Sequence, residues 1–255
     1  MLRKRILFGL IYKDGFFFQS RNFNLQKVGN IDWLLNNYNF QKVAVSIDEL
    51  IIVDAVKDSE KVSKKFHEDV LAIIKKTFIP LTLGGGIRNI YDITRMFSYG
   101  ADKILLNTAC YSNKNLVMDA VNLYGSQSVV AQVDYSFVDD SITLYSHGGM
   151  YREDIGLVKH LESLMEIGTG EIILNCITRD GTGFGYHTDI IELISKIDLC
   201  PLIIMGGAGK VDHFALGLKF PKVSGVATAN LFNFMGDSLE KARIHLINKG
   251  GNLAE

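Results

Sequence analysis

Three aspartates follow short apolar runs, at positions where a side chain could carry out proton transfer. They are Asp54, Asp134 and Asp180. A carboxylate at the rim of a partly dry cavity can have a raised pKa and act as a general acid or base. Asp134 directly follows the run 129–133 and is the best placed, so we predict it to be the catalytic group. A lone aspartate more often braces a turn, so Asp54 and Asp180 are predicted only as candidate supporting residues. Asn175 is a further candidate supporting residue.

Two glycine-rich segments could bind anions. Leu81–Gly86 and Ile203–Gly209 have similar sequences and lie about half a chain length apart. Glycines let backbone N–H groups approach a phosphate closely, and a following helix N-terminus favours negative charge. A single such segment could equally serve a turn, but each is followed by a second repeated element that contains threonine. We therefore predict two phosphate sites, made of Gly84, Gly85, Gly86, Asn107 and Thr108, and of Gly206, Gly207, Ala208, Gly209, Ala227 and Thr228.

Four charged residues stand at the beginnings of apolar runs and alternate in sign along the chain. They are Arg5, Glu49, Lys103 and Glu171. Solvated strand starts would explain each of them singly. However, Glu49 and Glu171 occupy equivalent positions in the two halves of the chain. The pattern therefore favours a charged ring across one end of a barrel.

Alternating strand-like and helix-like segments must position these residues. Most of the strand-like segments are short and continuously apolar, which is typical of parallel strands covered on both faces. The predicted strands are Arg5–Leu10, Glu49–Val53, Pro80–Leu83, Lys103–Leu106, Val129–Val133, Glu171–Leu174, Pro201–Met205 and Gly225–Thr228. The predicted helices are Lys61–Lys76, Ile90–Tyr99, Asn115–Tyr124, Leu157–Ile167, Ile190–Ile197 and Leu239–Lys249.

Eight strand–helix units in 255 residues predict a (β/α)8 TIM barrel of class α/β. The repeated segments indicate an internal half-barrel repeat. We predict one domain over residues 1–255, with half-barrels at approximately 1–125 and 126–255. In this fold, reactive groups come from the carboxyl ends of the strands, where the aspartates and glycine-rich segments would lie.

Composition narrows the range of partners. The formal net charge is −1, so we expect no nucleic-acid or membrane partner, because both need concentrated basic surface. The apolar N-terminal stretch ends at Lys13-Asp14-Gly15 without a cleavage site, and no apolar run is long enough to span a membrane. The three cysteines have no metal or redox spacing. We therefore expect a cytoplasmic protein without a metal or another cofactor.

These features together resemble one family over the whole chain, the cyclase subunit of imidazole glycerol phosphate synthase, known as HisF. The matching segments are Met1-Leu2, Lys4-Arg5-Ile6, Lys13-Asp14-Gly15, Asp48-Glu49-Leu50, Ile79–Thr82, Gly84–Arg88, Gly100–Lys103, Tyr124–Gln127, His147-Gly148-Gly149, Gly170–Ile172, Arg179–Thr182 and Gly206–Gly209. The resemblance implies a half-barrel-repeat barrel with two phosphate sites at its C-terminal face. It also implies a HisH-like glutaminase partner docked at the N-terminal face, where Asp102 would lie. Ammonia would pass through the barrel, with Arg5, Glu49, Lys103 and Glu171 as its gate.

Two positions depart from the family pattern. Family members have a second catalytic aspartate at the end of strand one, where this chain has Ile11. A lysine associated with a substrate phosphate is replaced by Gln19. Losing one acid–base group typically lowers the rate by about 10²- to 10⁴-fold. The pattern looks like the cyclase paralogues of acetamidino modification, in which ammonia converts an N-acetyl group of a bacterial surface sugar into an acetamidino group.

Three functional hypotheses follow. The first is a barrel subunit that delivers ammonia to a phosphorylated small-molecule or sugar substrate in acetamidino modification, with Asp134 as the acid–base group. The second is the family's standard cyclase reaction in histidine biosynthesis, with Asp54 or Asp180 replacing the missing carboxylate. The third is a catalytically silent scaffold or activator of a glutaminase. An intact docking face with a damaged active face would favour the third, whereas Asp134 and the glycine-rich segments favour the first two.

Overall fold

The computed structural model describes residues 3–56 and 63–254, and in it eight parallel strands close into a barrel. Four further strands form antiparallel extensions at the barrel mouth. In chain order, the twelve strands are β1 (Arg5–Lys13), β2 (Phe16–Arg21), β3 (Asn24–Gly29), β4 (Glu49–Asp54), β5 (Leu81–Gly84), β6 (Lys103–Leu106), β7 (Val129–Val138), β8 (Ser141–Ser146), β9 (Tyr151–Glu153), β10 (Glu171–Cys176), β11 (Leu202–Met205) and β12 (Val223–Thr228).

The barrel closes because every one of its strands has a parallel neighbour on both sides. The order around it is β1, β4, β5, β6, β7, β10, β11 and β12, and β12 returns to β1 with Arg5 opposite Gly225. A parallel strand inside a covered barrel has no face exposed to water. Accordingly, all six residues of β10 are buried.

Helices cover the outside of the barrel through amphipathic faces. In the third helix, Phe66, Val70 and Ile73 are buried at helical spacing, and Ser63 caps its first turn by accepting a hydrogen bond from Phe66 N. The ten helices of the described residues are α1 (Ile31–Asn37), α2 (Phe40–Ser46), α3 (Lys64–Ile74), α4 (Ile90–Ser98), α5 (Thr108–Ser112), α6 (Lys114–Tyr124), α7 (Leu157–Glu166), α8 (Asp189–Leu193), α9 (Val211–Leu218) and α10 (Ser238–Asn248).

The barrel interior contains an apolar layer separate from the core under the helices. Because alternate residues of a strand face the same side, the inward-facing residues of all barrel strands except β5 contribute to this layer. The layer consists of Leu7, Ile51, Leu105, Val130, Ile173, Ile203 and Ala227, with Val53 and Met205 packed against it. It separates the two ends of the barrel.

Two antiparallel extensions were not predicted from the sequence. β1 continues into β2 and β3, and β7 continues into β8 and β9. They extend the first and fifth barrel strands, which are equivalent in a half-barrel repeat. As a result, Asp134 and Ile11 lie within long strands rather than at strand ends.

The fold class and the eight barrel strands are confirmed, with boundaries that differ by a few residues. Residues 61 and 62 of the predicted helix Lys61–Lys76 lie outside the described residues. The predicted helix Ile190–Ile197 ends at Leu193, and α2, α5 and α9 were not predicted. The half-barrel boundaries stay a prediction. Within the part of the chain that the structure describes, no helix is both long and apolar enough to cross a membrane.

Candidate functional site

A cavity of about 670 Å³ opens at the C-terminal mouth of the barrel. The ends of the barrel strands and both antiparallel extensions contribute to its walls. The residues that line it include Ile11, Lys13, Asp54, Gly85, Gly86, Arg88, Asn107, Thr108, Gln132, Asp134, His147, Asn175, Asp180 and Met205. This is the end of the barrel where the fold places reactive groups.

Asp134 is the predicted catalytic residue, and its carboxylate lies in this wall with only 2% of the residue exposed. Oδ1 accepts hydrogen bonds from Asn175 Nδ2 at 2.9 Å and from Gln132 Nε2 at 2.8 Å. Oδ2 accepts one from Asn107 Nδ2 at 3.2 Å. Three side-chain amides therefore hold this carboxylate in place.

Burial raises the pKa of Asp134 to about 7, because a carboxylate loses its hydration inside the barrel. The hydrogen bonds from Asn175 and Gln132 favour the charged form and lower the pKa, while the charge of Asp180 raises it. A group with a pKa near 7 can both accept and donate a proton at neutral pH. The environment therefore suits general acid–base chemistry.

Ile11 lies across the barrel mouth from Asp134. β1 and β7 are the first and fifth of the eight strands and occupy opposite sides of the barrel. Ile11 lines the same cavity and pairs with Val53 of β4. An alkyl side chain cannot transfer a proton, so β1 contributes no acid–base group to the mouth at this position.

The two candidate supporting aspartates have different surroundings. Asp54 is the last residue of β4, is buried, and lines the cavity. Asp180 accepts hydrogen bonds from Ser20 Oγ at 2.5 Å and from Phe23 N at 3.1 Å, and burial raises its pKa. Asp180 therefore braces the β2–β3 extension against the barrel, which is the turn-bracing role that its sequence context favours.

The first glycine-rich segment forms part of the main cavity. Gly85 has a φ of 96°, and a Cβ there would lie 1.9 Å from the carbonyl oxygen of Asp54, so only glycine fits. Gly85, Gly86 and Thr108 line the cavity together with two cations, Lys13 and Arg88. These five residues are hereafter called the first cradle. The cradle combines backbone N–H groups that an anion can approach closely with the positive charge of two side chains.

The second glycine-rich segment lines a separate cavity of only about 10 Å³. Gly206, Gly207, Ala208 and Thr228, hereafter the second cradle, line this cavity together with Gln19 and Asp180. Several nearby donors already have partners within the chain, because Thr228 Oγ1 donates to Ala208 O, Gly209 N to His213 Nδ1 and Leu231 N to Gln19 Oε1. No cation lines this small cavity in the described part of the chain.

Two predicted phosphate-site residues have other contacts. Asn107 directs its amide nitrogen to Asp134 and to the carbonyl oxygens of Gln132 and Tyr145. Ala227 is fully buried in the interior apolar layer. Asn107 therefore belongs to the Asp134 network, and Ala227 belongs to the barrel interior.

The four charged residues form a closed ring at the N-terminal end of the barrel. Lys103 Nζ contacts Glu49 Oε2 at 2.7 Å and Glu171 Oε2 at 2.8 Å. Arg5 contacts Glu49 at 3.2 Å and also pairs with Glu171. Thr82 Oγ1 donates a further hydrogen bond to Glu49. Each cation bridges both carboxylates, so the ring covers the underside of the apolar layer.

Asp102 lies at the same end, immediately before β6. It is exposed, and its carboxylate accepts a hydrogen bond from Leu81 N at 2.8 Å. This contact fixes the start of β5. The predicted role of Asp102 in docking stays a prediction.

Sequence reasoning missed several cavity residues. Lys13, Arg88 and His147 were identified only as parts of matching segments, and Gln132 only as part of a predicted strand. His147 shares a hydrogen bond of 2.7 Å between its Nδ1 and Ser146 Oγ, and Ser146 also donates to Glu153. Gln132 could have been identified as a cavity residue from the sequence, because it is an inward-facing residue near the carboxyl end of a predicted strand. No sequence signal was available for His147, because β8 and β9 were not predicted.

The fold and the site define a class of protein: a (β/α)8 barrel with a buried carboxylate of raised pKa at its mouth and a charged ring at its opposite end. A family profile described as "Histidine biosynthesis protein" matches residues 22–237. The chain belongs to this family and is a HisF-like protein.

Individual relatives agree with this assignment. A protein of Parasynechococcus marenigrum, provisionally named imidazole glycerol phosphate synthase subunit hisF2, is 37% identical over 95% of this chain and 90% of its own length. The imidazole glycerol phosphate synthase subunit HisF of Chlorobium phaeovibrioides is 34% identical over 98% of both chains. That of Hydrogenobaculum sp. is 33% identical over 96% of both chains.

Proposed function

We propose that this chain receives ammonia from a partner glutaminase at the N-terminal face of the barrel and delivers it to a phosphate-bearing substrate at the mouth. The reaction is the acetamidino modification of a bacterial surface sugar. One observation carries the proposal: the charged ring is complete, while Ile11 removes one of the two carboxylates of the standard cyclase reaction.

The interior of the barrel supports transfer of the neutral molecule. Ammonia is mostly protonated near pH 7, and the ammonium ion has no lone pair with which to attack a carbonyl carbon. A charge inside the apolar layer of Leu7, Ile51, Leu105 and their neighbours would lose its hydration at a high free-energy cost. The layer therefore favours NH3 over NH4+, and the ring would have to open briefly to admit it.

Asp134 supports the chemical step. The nitrogen lone pair would form a bond to the carbonyl carbon of an N-acetyl group whose oxygen another enzyme has phosphorylated, and the bond between that carbon and oxygen would break to release phosphate. The carboxylate would take a proton from the nitrogen and return it to the departing oxygen, so a single group with a pKa near 7 is enough. The first cradle, with Lys13 and Arg88, would hold a phosphate of the substrate.

The standard cyclase reaction is the second candidate, and the names of the HisF relatives favour it. In this chain it would require another group to replace the strand-one carboxylate. Asp180 is already committed to Ser20 and Phe23. That leaves Asp54, which lies in the same cavity as Asp134.

The test combines the purified protein, its glutaminase partner, ¹⁵N-amide-labelled glutamine and an activated N-acetyl sugar. We expect a ¹⁵N-amidine by mass spectrometry, and we expect Asp134→Asn to abolish it while leaving glutamine hydrolysis intact. Conversion of the histidine precursor instead, or complementation of a cyclase-deficient strain without an Ile11→Asp change, would support the standard reaction. Amidine formation that is unaffected by Asp134→Asn would point to a scaffold role.

A further inference from the structure

Three side-chain amides form the first polar tier that a molecule would meet after crossing the apolar layer. Leu105, Val130 and Ile173 belong to that layer. Since alternate residues of a strand face the same side, the next inward-facing positions are Asn107, Gln132 and Asn175. This amide tier lies between the apolar layer and the cavity, next to Asp134.

The orientations of two of these amides are fixed by their nitrogen atoms. Asn175 Nδ2 donates to the carboxylate of Asp134, which accepts hydrogen bonds when ionised. Asn107 Nδ2 faces three oxygen acceptors: Asp134 Oδ2, Gln132 O and Tyr145 O. Rotating either amide by 180° would place its oxygen against these oxygens, so the amide oxygens must point elsewhere.

Those two amide oxygens are buried acceptors. Neither Asn107 Oδ1 nor Asn175 Oδ1 has a hydrogen-bond donor in the part of the chain that the structure describes, and Asn175 is only 5% exposed. A buried polar atom without a partner is unfavourable, because it has lost its hydration without gaining a hydrogen bond. The tier therefore offers two acceptors beside a carboxylate, a set complementary to a ligand rich in N–H donors.

We propose that the amide tier is the receiving site for ammonia, a step that rests on the proposed function. The three N–H bonds of ammonia match three acceptors, which are Asn107 Oδ1, Asn175 Oδ1 and the carboxylate of Asp134. With its N–H bonds directed to these oxygens, the nitrogen keeps its lone pair for the substrate. Asn107 and Asn175 are then positioning residues, and Asp134 takes the proton only after the new bond forms.

A binding experiment tests the site without the sugar reaction. The pKa of Asp134 is followed by ¹³C NMR of labelled aspartate in the full-length protein, in ammonium chloride and in sodium chloride at equal ionic strength. N–H donors at the carboxylate favour its charged form, whether they belong to ammonia or to the ammonium ion in equilibrium with it, so we expect a pKa lower by at least about half a unit in ammonium chloride. Methylammonium, which is larger, should produce a smaller shift.

Variants identify the residues. Asn175→Leu should abolish the difference between the two salts, and Asn175→Gln should restore part of it. Gln41→Leu, an exposed change in α2, is the matched control and should behave as the natural protein. Equal Asp134 pKa values in the two salts, or an ammonium shift that survives Asn175→Leu, would overturn the proposal.

The result separates this proposal from the proposed function. Amidine formation without an ammonium effect on Asp134 would remove the receiving site and leave the reaction in place. An ammonium effect without amidine formation would leave the site and remove the sugar reaction.

Discussion

The carboxylate of Asp134 is held by three amides, and its burial raises its pKa to about 7 from an ordinary value of 3.8. The same burial that prepares this group for proton transfer makes its charged form unfavourable for folding. Function and stability are therefore opposed at this residue, and each can be measured separately.

Replacing Asp134 by Asn should remove the acid–base group with little change in shape. We expect ammonia-dependent turnover to fall by about 10²- to 10⁴-fold. Binding of a phosphorylated ligand at the first cradle should change by less than about threefold, because Lys13, Arg88 and Gly85 are unaltered. Steady-state kinetics with ammonium chloride and calorimetric titration check the two expectations, and equal losses in both would indicate a structural role only.

The same variant should be more stable than the natural protein at high pH. Because the folded-state pKa is raised, protonated Asp134 favours folding below about pH 4, and this contribution is lost as the pH rises to about 7. A difference of about three pKa units corresponds to at most about 4 kcal/mol. Asp134→Asn should therefore show a smaller fall in its free energy of unfolding between pH 5 and pH 8, measured by urea denaturation. An equal fall in the free energy of unfolding of both proteins would contradict this prediction.

At the scale of elements, the barrel could be predicted because its strands are short apolar runs and its repeat is visible in the glycine-rich segments. The β2–β3 and β8–β9 extensions could not be predicted from the sequence. Phe16–Arg21 has only three consecutive apolar residues and Asn24–Gly29 has none in succession. β2 is joined to β1 by a turn at Asp14 and Gly15 and to β3 by a turn at Asn22 and Phe23, all four with positive φ. The contacts of Asp134 with Gln132 and Asn107 were also missed, because they depend on which residues face the interior.

The β2–β3 extension should depend on Asp180. Its carboxylate is buried and accepts hydrogen bonds from Ser20 and Phe23, so Asp180→Ala leaves both donors without this partner. We expect a loss of about 1–3 kcal/mol in the free energy of unfolding and faster amide exchange over residues 16–29. Asp198→Ala, at an exposed position, is the control and should change neither quantity.

Gln19 on β2 should limit binding at the second cradle. Its Oε1 accepts the N–H of Leu231, and the small cavity beside it is lined by the carboxylate residue Asp180. Gln19→Lys introduces a cation there, so we expect a sugar bisphosphate to bind at least about tenfold more tightly, with little change for a monophosphate. Gln19→Glu keeps an acceptor for Leu231 and should weaken bisphosphate binding. Titration calorimetry of the natural protein and both variants with each ligand measures these affinities. Equal affinities in all three proteins would contradict the prediction.

At the scale of the whole molecule, the proposed function assigns different steps to the two ends of the barrel. The charged ring lies below the apolar layer, and Asp134 with the amide tier lies above it. In the proposed function, ammonia from the glutaminase must cross both the ring and the layer, whereas ammonium salts in solution can supply the mouth directly. Comparing the two nitrogen sources therefore isolates the ring from the chemistry.

Lys103→Met should uncouple the two ends. Lys103 bridges Glu49 and Glu171, which are both buried, so its removal leaves the two carboxylates with Arg5 alone. We expect a loss of about 3–5 kcal/mol in stability, and glutamine-driven product formation at least about tenfold lower. Ammonium-driven formation should stay within about twofold, because Asp134 and the cavity are unchanged.

The matched control for the ring is Lys42→Met. Lys42 pairs with Asp237 at 2.9 Å, but about half of each side chain is exposed, so this pair contributes less than about 1 kcal/mol. Its loss should leave stability and both nitrogen sources unaffected. If Lys103→Met lowered glutamine-driven and ammonium-driven formation by the same factor, the ring would support the fold without controlling ammonia. If only the glutamine-driven reaction falls, while the glutaminase still binds and hydrolyses glutamine at its natural rate, the route for ammonia runs through the ring.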